Sequence, residues 1–355
     1  MIALLIMTIA LTGCNRPAIE HTNIHFTKKQ VDFGEIQYGI HSTSIGMIGD
    51  ILLHDQLYIQ DDFLPAFAEV RDELRAVDFL IANQESMPGG KELGLSGYPA
   101  FNSPAHILDA LKDIDVNLLS IANNHTLDYG ERGILAALKN IQAADIPYVG
   151  AYESEKDLQT PRIFEVNDIS IGVLGYTYGT NGIPTPAGKD YLVNRIDPKR
   201  ITKEIQAMRD DVDVVVVSMH WGNEYELTQN AEQEELAKVI ADAGADIIFG
   251  HHPHVIQPFE VIEGRDGHET AVFYSLGNFY SGQKFEYTDI GGIAKLVLSK
   301  NMSTGETTVT HPEFIPTAVV KDADQYYRVV PLTSVEKDKI VTHDWVVEHV
   351  GANES

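Results

Sequence analysis

The chain has 355 residues, with 52 acidic against 26 basic side chains, a formal net charge of −26 and a single cysteine. That balance, with no compact basic run, excludes nucleic acid as a partner and opposes any polyanion that approaches unassisted. One cysteine leaves no internal disulfide to form.

In chain order, Ile2 to Leu11 is an apolar run too short to cross a bilayer, and it leads into Leu11-Thr12-Gly13-Cys14. This segment resembles a bacterial lipobox, which implies that 1–14 is a lipoprotein signal peptide. Cys14 would then be lipidated, anchoring the chain to the outer face of the cytoplasmic membrane. No Lys or Arg precedes the run, so the charged leader is missing or the start codon is misassigned. Residues 15–42 read as a tether spanning about 30 Å as a coil, with an edge strand expected near Val31 to Ile36.

From residue 43 onward, apolar strand-like runs alternate with helical periodicity. Strands are expected at Ile45 to Asp50, Phe79 to Glu85, Val116 to Ile121, Val214 to His220 and Ile247 to Gly250. Helices are expected at Leu64 to Leu74, Ala105 to Leu111, Ile134 to Ile141, Ile201 to Met208 and Glu232 to Ala243, with Asp197 capping ahead of Pro198. The alternation implies βαβ units and parallel strands. Val255 to Ile262, Thr270 to Ser275, Ile293 to Leu298 and Thr307 to Phe314 are strand runs without helices between them, and predict a largely antiparallel second sheet. The expected fold class is α/β, a four-layer αββα sandwich with mixed sheets, over 43–319. Residues 320–355 form an extension with a weak amphipathic pattern from Val335 to Val350.

The five early strands share one property: each delivers Asp, Glu, Asn or His at or just past its end. Those residues are Asp50, Glu85, Asn124 with His125, His220, and the cluster His251-His252-Pro253-His254 after Gly250. Each has a bland reading, such as a helix cap, a rim carboxylate, a turn residue or a packed histidine. Five such coincidences at carboxyl ends of strands, where open α/β sheets bind ligands, point instead to one metal centre. Carboxylate, carboxamide and imidazole donors suit divalent Zn, Mn or Fe. The surplus of donors favours two ions over one, an arrangement that clamps attacking and leaving oxygens in hydrolysis.

Gly49-Asp50, Asn83-Gln84-Glu85, Ala122-Asn123-Asn124-His125 with Asp128 and Gly130, His220-Trp221-Gly222-Asn223-Glu224-Tyr225, Gly250-His251-His252-Pro253-His254 and Tyr274-Ser275-Leu276-Gly277-Asn278-Phe279 resemble, in that order, the motifs of CapA-type poly-gamma-glutamate capsule biosynthesis proteins. These belong to the calcineurin-like metallophosphoesterase superfamily, and the resemblance covers roughly residues 43 to 316. It implies a fold of the metallophosphoesterase type, Asp50 as a metal ligand, Glu85 at the bridging position, Asn124 as a ligand and His125 as the catalytic histidine. His220 and the histidines after Gly250 complete the implied set, His252 with His254 preferred by spacing and His251 the alternative. The superfamily's opening Asp-x-His is altered, since the first histidine after Asp50 is His54, so one ligand is missing or displaced.

Around this set, Tyr98 and Phe101 are candidates for a substrate wall, or else pack inward from a proline-braced loop. Asn278 lines the pocket or, preferably, braces a loop. Glu224 is a candidate to orient an imidazole. Lys91, Arg132, Lys189 and Arg195 fall near the motif loops, where sequence cannot place them. The implied partners are poly-gamma-glutamate or another anionic envelope polymer, the membrane through Cys14, and other capsule-synthesis membrane proteins. Two functions follow: a metal-dependent hydrolase of phosphoester or gamma-glutamyl amide bonds, or a non-catalytic component that holds the polymer during synthesis and export.

Overall fold

Residues 39–323 and 325–352 are described by a computed structural model; Cys14 and the strand expected near Val31 to Ile36 lie outside them. In chain order the strands are β1 (Ile40–Leu52), β2 (Phe79–Gln84), β3 (Val116–Ser120), β4 (Tyr148–Val149), β5 (Ile163–Val166), β6 (Ile169–Thr177), β7 (Val214–His220), β8 (Ile247–His251), β9 (Ile256–Glu263), β10 (Glu269–Leu276), β11 (Asn278–Ser281), β12 (Ile290–Asn301), β13 (Thr307–Lys321) and β14 (Tyr327–Pro331). They form two sheets, ordered β14-β13-β12-β1-β2-β3-β4, with β11 beside β1, and β5-β6-β7-β8-β10-β9.

The layers follow from strand alternation. Val214 and Val216 of β7 point into the core between the sheets, beside Met47, Ile81 and Phe249. Val215 and Val217 point the other way and pack under Ile201, Ile205, Leu236 and Ile240. The first sheet does likewise: Ile48, Leu80 and Leu119 face Ile107, Leu111, Ile134 and Leu138. Helix, sheet, sheet and helix therefore stack in four layers, as expected.

The helices at Pro198–Arg209 and Ala231–Ala243 start where their caps dictate. Asp197 accepts from the amides of Lys199 and Arg200, and Asn230 and Gln233 form a reciprocal capping box. The single helix expected at Leu64 to Leu74 is instead a 3₁₀ turn, Leu64–Phe67, followed by a short helix, Arg71–Arg75. Phe63, Ala66, Phe67 and Val70 still fall in one apolar cluster, at the spacing that puts residues on one helical face, although the chain changes from the 3₁₀ turn to the helix between them.

The expected antiparallel second sheet does not form. β10 adds parallel to β8 and carries β9 antiparallel at the edge, whereas β12 pairs antiparallel with β1 and carries β13 and β14. The early parallel groups leave backbone rows at β1 and β8 that need partners, and the later strands divide between them. The boundary expected at 319 falls within β13, which runs to Lys321 and pairs with β14. Val346 and Val350, on the terminal helix His343–Val350, plug the core between the sheets.

Candidate metal centre

Gly49 and Gly250 let neighbouring backbone come close at the strand ends. A Cβ on Gly49 would lie 2.1 Å from the Gly277 carbonyl oxygen, and one on Gly250 would lie 1.9 Å from that of Tyr274. The register shift between Ile48 and Asp50 is a bulge at Gly49, and the Asp50 amide donates to Gly277 O at 2.9 Å. Past Gly250 the chain leaves β8 with His252 at φ 97° and His254 at φ 60°, a conformation unfavourable for both side chains. Such strain concentrates where a side chain must be aimed.

The expected residues converge in this space. Glu85, His252 and His254 each offer a donor atom, and the three atoms lie within 4.8 Å of one another. His220 Nε2 is 3.6 Å from Glu85 Oε1 and 2.8 Å from Asn124 Oδ1, so both side chains face the same point. His254 Nδ1 donates to Asn278 Oδ1 at 3.0 Å, leaving Nε2 turned toward Glu85 Oε1 at 3.8 Å. Glu85 is buried, yet neither carboxylate oxygen has a hydrogen-bond partner, and His252 Nδ1 has none either. An unpaired buried carboxylate is costly, and a divalent cation among these donors would satisfy it. The donor set therefore fits a metal ion held by Glu85, His252, His254, His220 and Asn124.

Two other expected ligands, Asp50 and His251, already have protein partners. Asp50 Oδ1 accepts from Asn83 Nδ2 at 2.7 Å and faces His251 Nδ1 at 3.1 Å, while Oδ2 faces His254 Nδ1 at 3.2 Å and the His252 amide at 3.3 Å. With both oxygens engaged, Asp50 braces the histidine loop. His251 lies between Asp50 and Met47, its Nε2 3.4 Å from Met47 Sδ, so His252 rather than His251 accompanies His254. His54 is also outside the set: it receives the Gly282 amide at 3.3 Å and packs edge-on to Phe101.

Electrostatics agree with this division. Burial alone would raise Asp50, but its hydrogen bonds with His251 and His254 outweigh it and hold the carboxyl well below the usual range. Burial pushes Glu85 well above its usual range, and burial together with neighbouring His254 lowers His252 to about 3. His220 is likewise held low by burial and by His252. Burial would lower His254 too, yet the Glu85 and Asp50 carboxylates raise it to about 9.

His125 stands beside the set. Its Nδ1 is 2.7 Å from Asp128 Oδ2, and Asp128 Oδ2 also accepts the Phe101 amide at 2.7 Å. Asp128 thereby fixes the tautomer, keeping the proton on Nδ1 and the lone pair on Nε2. Phe101 is buried edge-on to His125, with ring centroids 4.7 Å apart, so it supports His125 and offers no wall to substrate. Tyr98 is exposed at the rim. Asn278 is buried and orients His254, with its amide held by Gln283 and Thr288, so it does not line the pocket. Glu224 is exposed and bonds Tyr225, and His220 Nδ1 has no partner, so Glu224 does not orient that imidazole.

Sequence reasoning gave no role to Asn83, Asp128, Asn181 or Tyr178. Asp128 follows His125 by three residues, a spacing that could have paired them; Asn181 and Tyr178 come from a loop that carries no motif. Asn181 Oδ1 accepts from Asn124 Nδ2 at 3.3 Å, and the Tyr178 ring lies 4.6 Å from that of His252.

Residues 44–283 match the family described as bacterial capsule synthesis protein PGA_cap. The chain is 32% identical over 300 residues to the PGA biosynthesis protein CapA of Bacillus subtilis, covering 79% of this chain and 74% of that protein. It is 38% identical over 196 residues to the capsule biosynthesis protein CapA of Bacillus anthracis, covering 54% of this chain and 46% of that one. A solved phosphatase from Mycoplasma pneumoniae aligns over 78% of this chain and 94% of its own, at 16% identity and a TM-score of 0.46. With the family match spanning all five strand ends that build the centre, the chain belongs to the bacterial capsule synthesis protein PGA_cap family.

Proposed function

We propose that this chain acts in poly-gamma-glutamate capsule synthesis as a divalent-metal-dependent hydrolase of a phosphoester or a gamma-glutamyl amide bond. The observation that carries the reading is the buried, unpartnered Glu85 carboxylate facing His252 and His254, with the His125–Asp128 pair alongside. When bound, a divalent ion supplies Lewis-acid polarisation and eases deprotonation of water at neutral pH. Glu85, His252, His254, His220 and Asn124 hold it, and Asp50 and Asn278 keep His254 turned inward. His125 moves the proton: with Nδ1–H given to Asp128, Nε2 accepts a proton and returns it to the leaving atom. Metal analysis joined to a screen of phosphomonoester, phosphodiester and gamma-glutamyl oligomer substrates tests this, with chelator-sensitive turnover expected on one class. Bound metal without turnover on any of them favours a component that holds polymer.

We further propose anchoring through Cys14, on the strength of Leu11-Thr12-Gly13-Cys14. The site would then face the cell envelope beside other capsule-synthesis membrane proteins. Cys14→Ser should move the protein to the soluble fraction with unchanged melting. Persistent membrane fractionation after signal processing would exclude it.

A further inference from the structure

Beside His252 the centre opens into a cleft of about 440 Å³ whose walls include Tyr178, Trp221, Asn223, Glu224 and Glu232. His252 is 4% exposed, lines this cleft, and has no partner at Nδ1. Glu224 and Glu232 are exposed carboxylates on the wall, and among the described residues no lysine or arginine lines it. The basic residues of the adjoining loops are turned elsewhere: Lys189 pairs with Glu131, and Arg195 donates to Thr180 Oγ1 and Ile183 O. Glu232 has an ordinary reason to be there, since it lies in the first turn of the helix Ala231–Ala243. Glu224 instead bonds Tyr225 at the rim.

Aromatic faces complete the rim. Tyr178, 47% exposed, has its ring 4.6 Å from that of His252. Across the histidine loop, exposed Tyr225 lies 6.2 Å from His254 and 4.8 Å from exposed Phe285. The cleft wall offers an entering phosphate or carboxylate two carboxylates and no cationic side chain. An ammonium would meet an electron-rich ring face and opposite charge, the chemistry by which aromatic cages hold amines.

We propose that this cleft is a subsite for a primary ammonium group, the free α-amine of an amide-linked substrate, bound between Tyr178 and Glu224. Its place beside a reacting bond rests on the hydrolase reading; the binding itself does not. The centre therefore engages its substrate near the amino end, and the anionic remainder of the chain extends away from the cleft.

The test is calorimetric titration of metal-loaded full chain with two probes: a short gamma-glutamyl oligomer bearing a free α-amine, and the same oligomer N-acetylated. Acetylation should weaken binding by about tenfold or more. The double variant Glu224→Gln with Glu232→Gln, both positions being exposed, should melt like the parent and bind both probes alike. Equal binding of the two probes by the parent, binding of neither, or discrimination that survives in the double variant each overturns the subsite. Turnover of the same probes separates the two ideas. Discrimination without turnover leaves the subsite standing and removes the hydrolase reading; turnover without discrimination does the reverse.

Discussion

Glu85→Gln and His252→Ala should each leave the purified protein with little bound divalent ion. Glu85 contributes the only carboxylate of the converging donors that has both oxygens unpartnered, and the His252 Nδ1 beside it is equally unsatisfied. The amide of Gln cannot neutralise a dication, and Ala removes the donor outright. Each loss should exceed the roughly 10–100-fold fall in affinity typical of an outer-shell partner. Asp50→Asn should fall inside that range, because Asp50 acts through His254 and His251. Competition with a chelator of known affinity gives the numbers. Full metal retention by Glu85→Gln would remove Glu85 from the centre, and with it the proposed chemistry.

His125→Ala is expected to show the opposite pattern, with metal content near that of the parent and turnover lower by about 10²–10⁴-fold. The His125 side chain is held by Asp128 and Phe101 and reaches that of Asn124 through Asn181, so its removal should leave Glu85, His252 and His254 in place. Asp128→Asn should reproduce part of the loss, since an amide no longer fixes which ring nitrogen carries the proton. If His125→Ala shed its metal as readily as His252→Ala, His125 would have to be counted a ligand.

What could be read without coordinates was the part governed by local rules. Val214 to His220 and Ile247 to Gly250 announce buried parallel strands by composition alone, and the residues at their ends follow from the direction of the chain. Asp197 before Pro198 marks a helix start just as plainly. Pairing was hidden, because an apolar run such as Ile293 to Leu298 does not state which free edge it will satisfy. Short β4 and β5 carry too few residues for a period to show. Within the site, spacing preferred His252 over His251, but only the packing of His251 against Met47 shows why. Spacing could not separate Asp50 from Glu85 either. That distinction depends on which carboxylate protein donors already occupy, a property of four different loops at once.

The donors come from both halves of the sandwich: Glu85 and Asn124 follow β2 and β3, while His220, His252 and His254 belong to β7 or follow β8. A cation among them is a cross-link between two sheets that otherwise meet mainly through apolar contact. Because an unfolded chain cannot assemble donors separated by more than a hundred residues, whatever free energy the ion gains on binding is added to the folded state alone. At a free-ion concentration a hundred times Kd, this linkage amounts to about 2.7 kcal/mol. Ion supply in the surrounding medium thus sets mechanical cohesion at the mouth of the sandwich as well as reactivity, and scarcity of the ion should loosen the protein first at the place where it works.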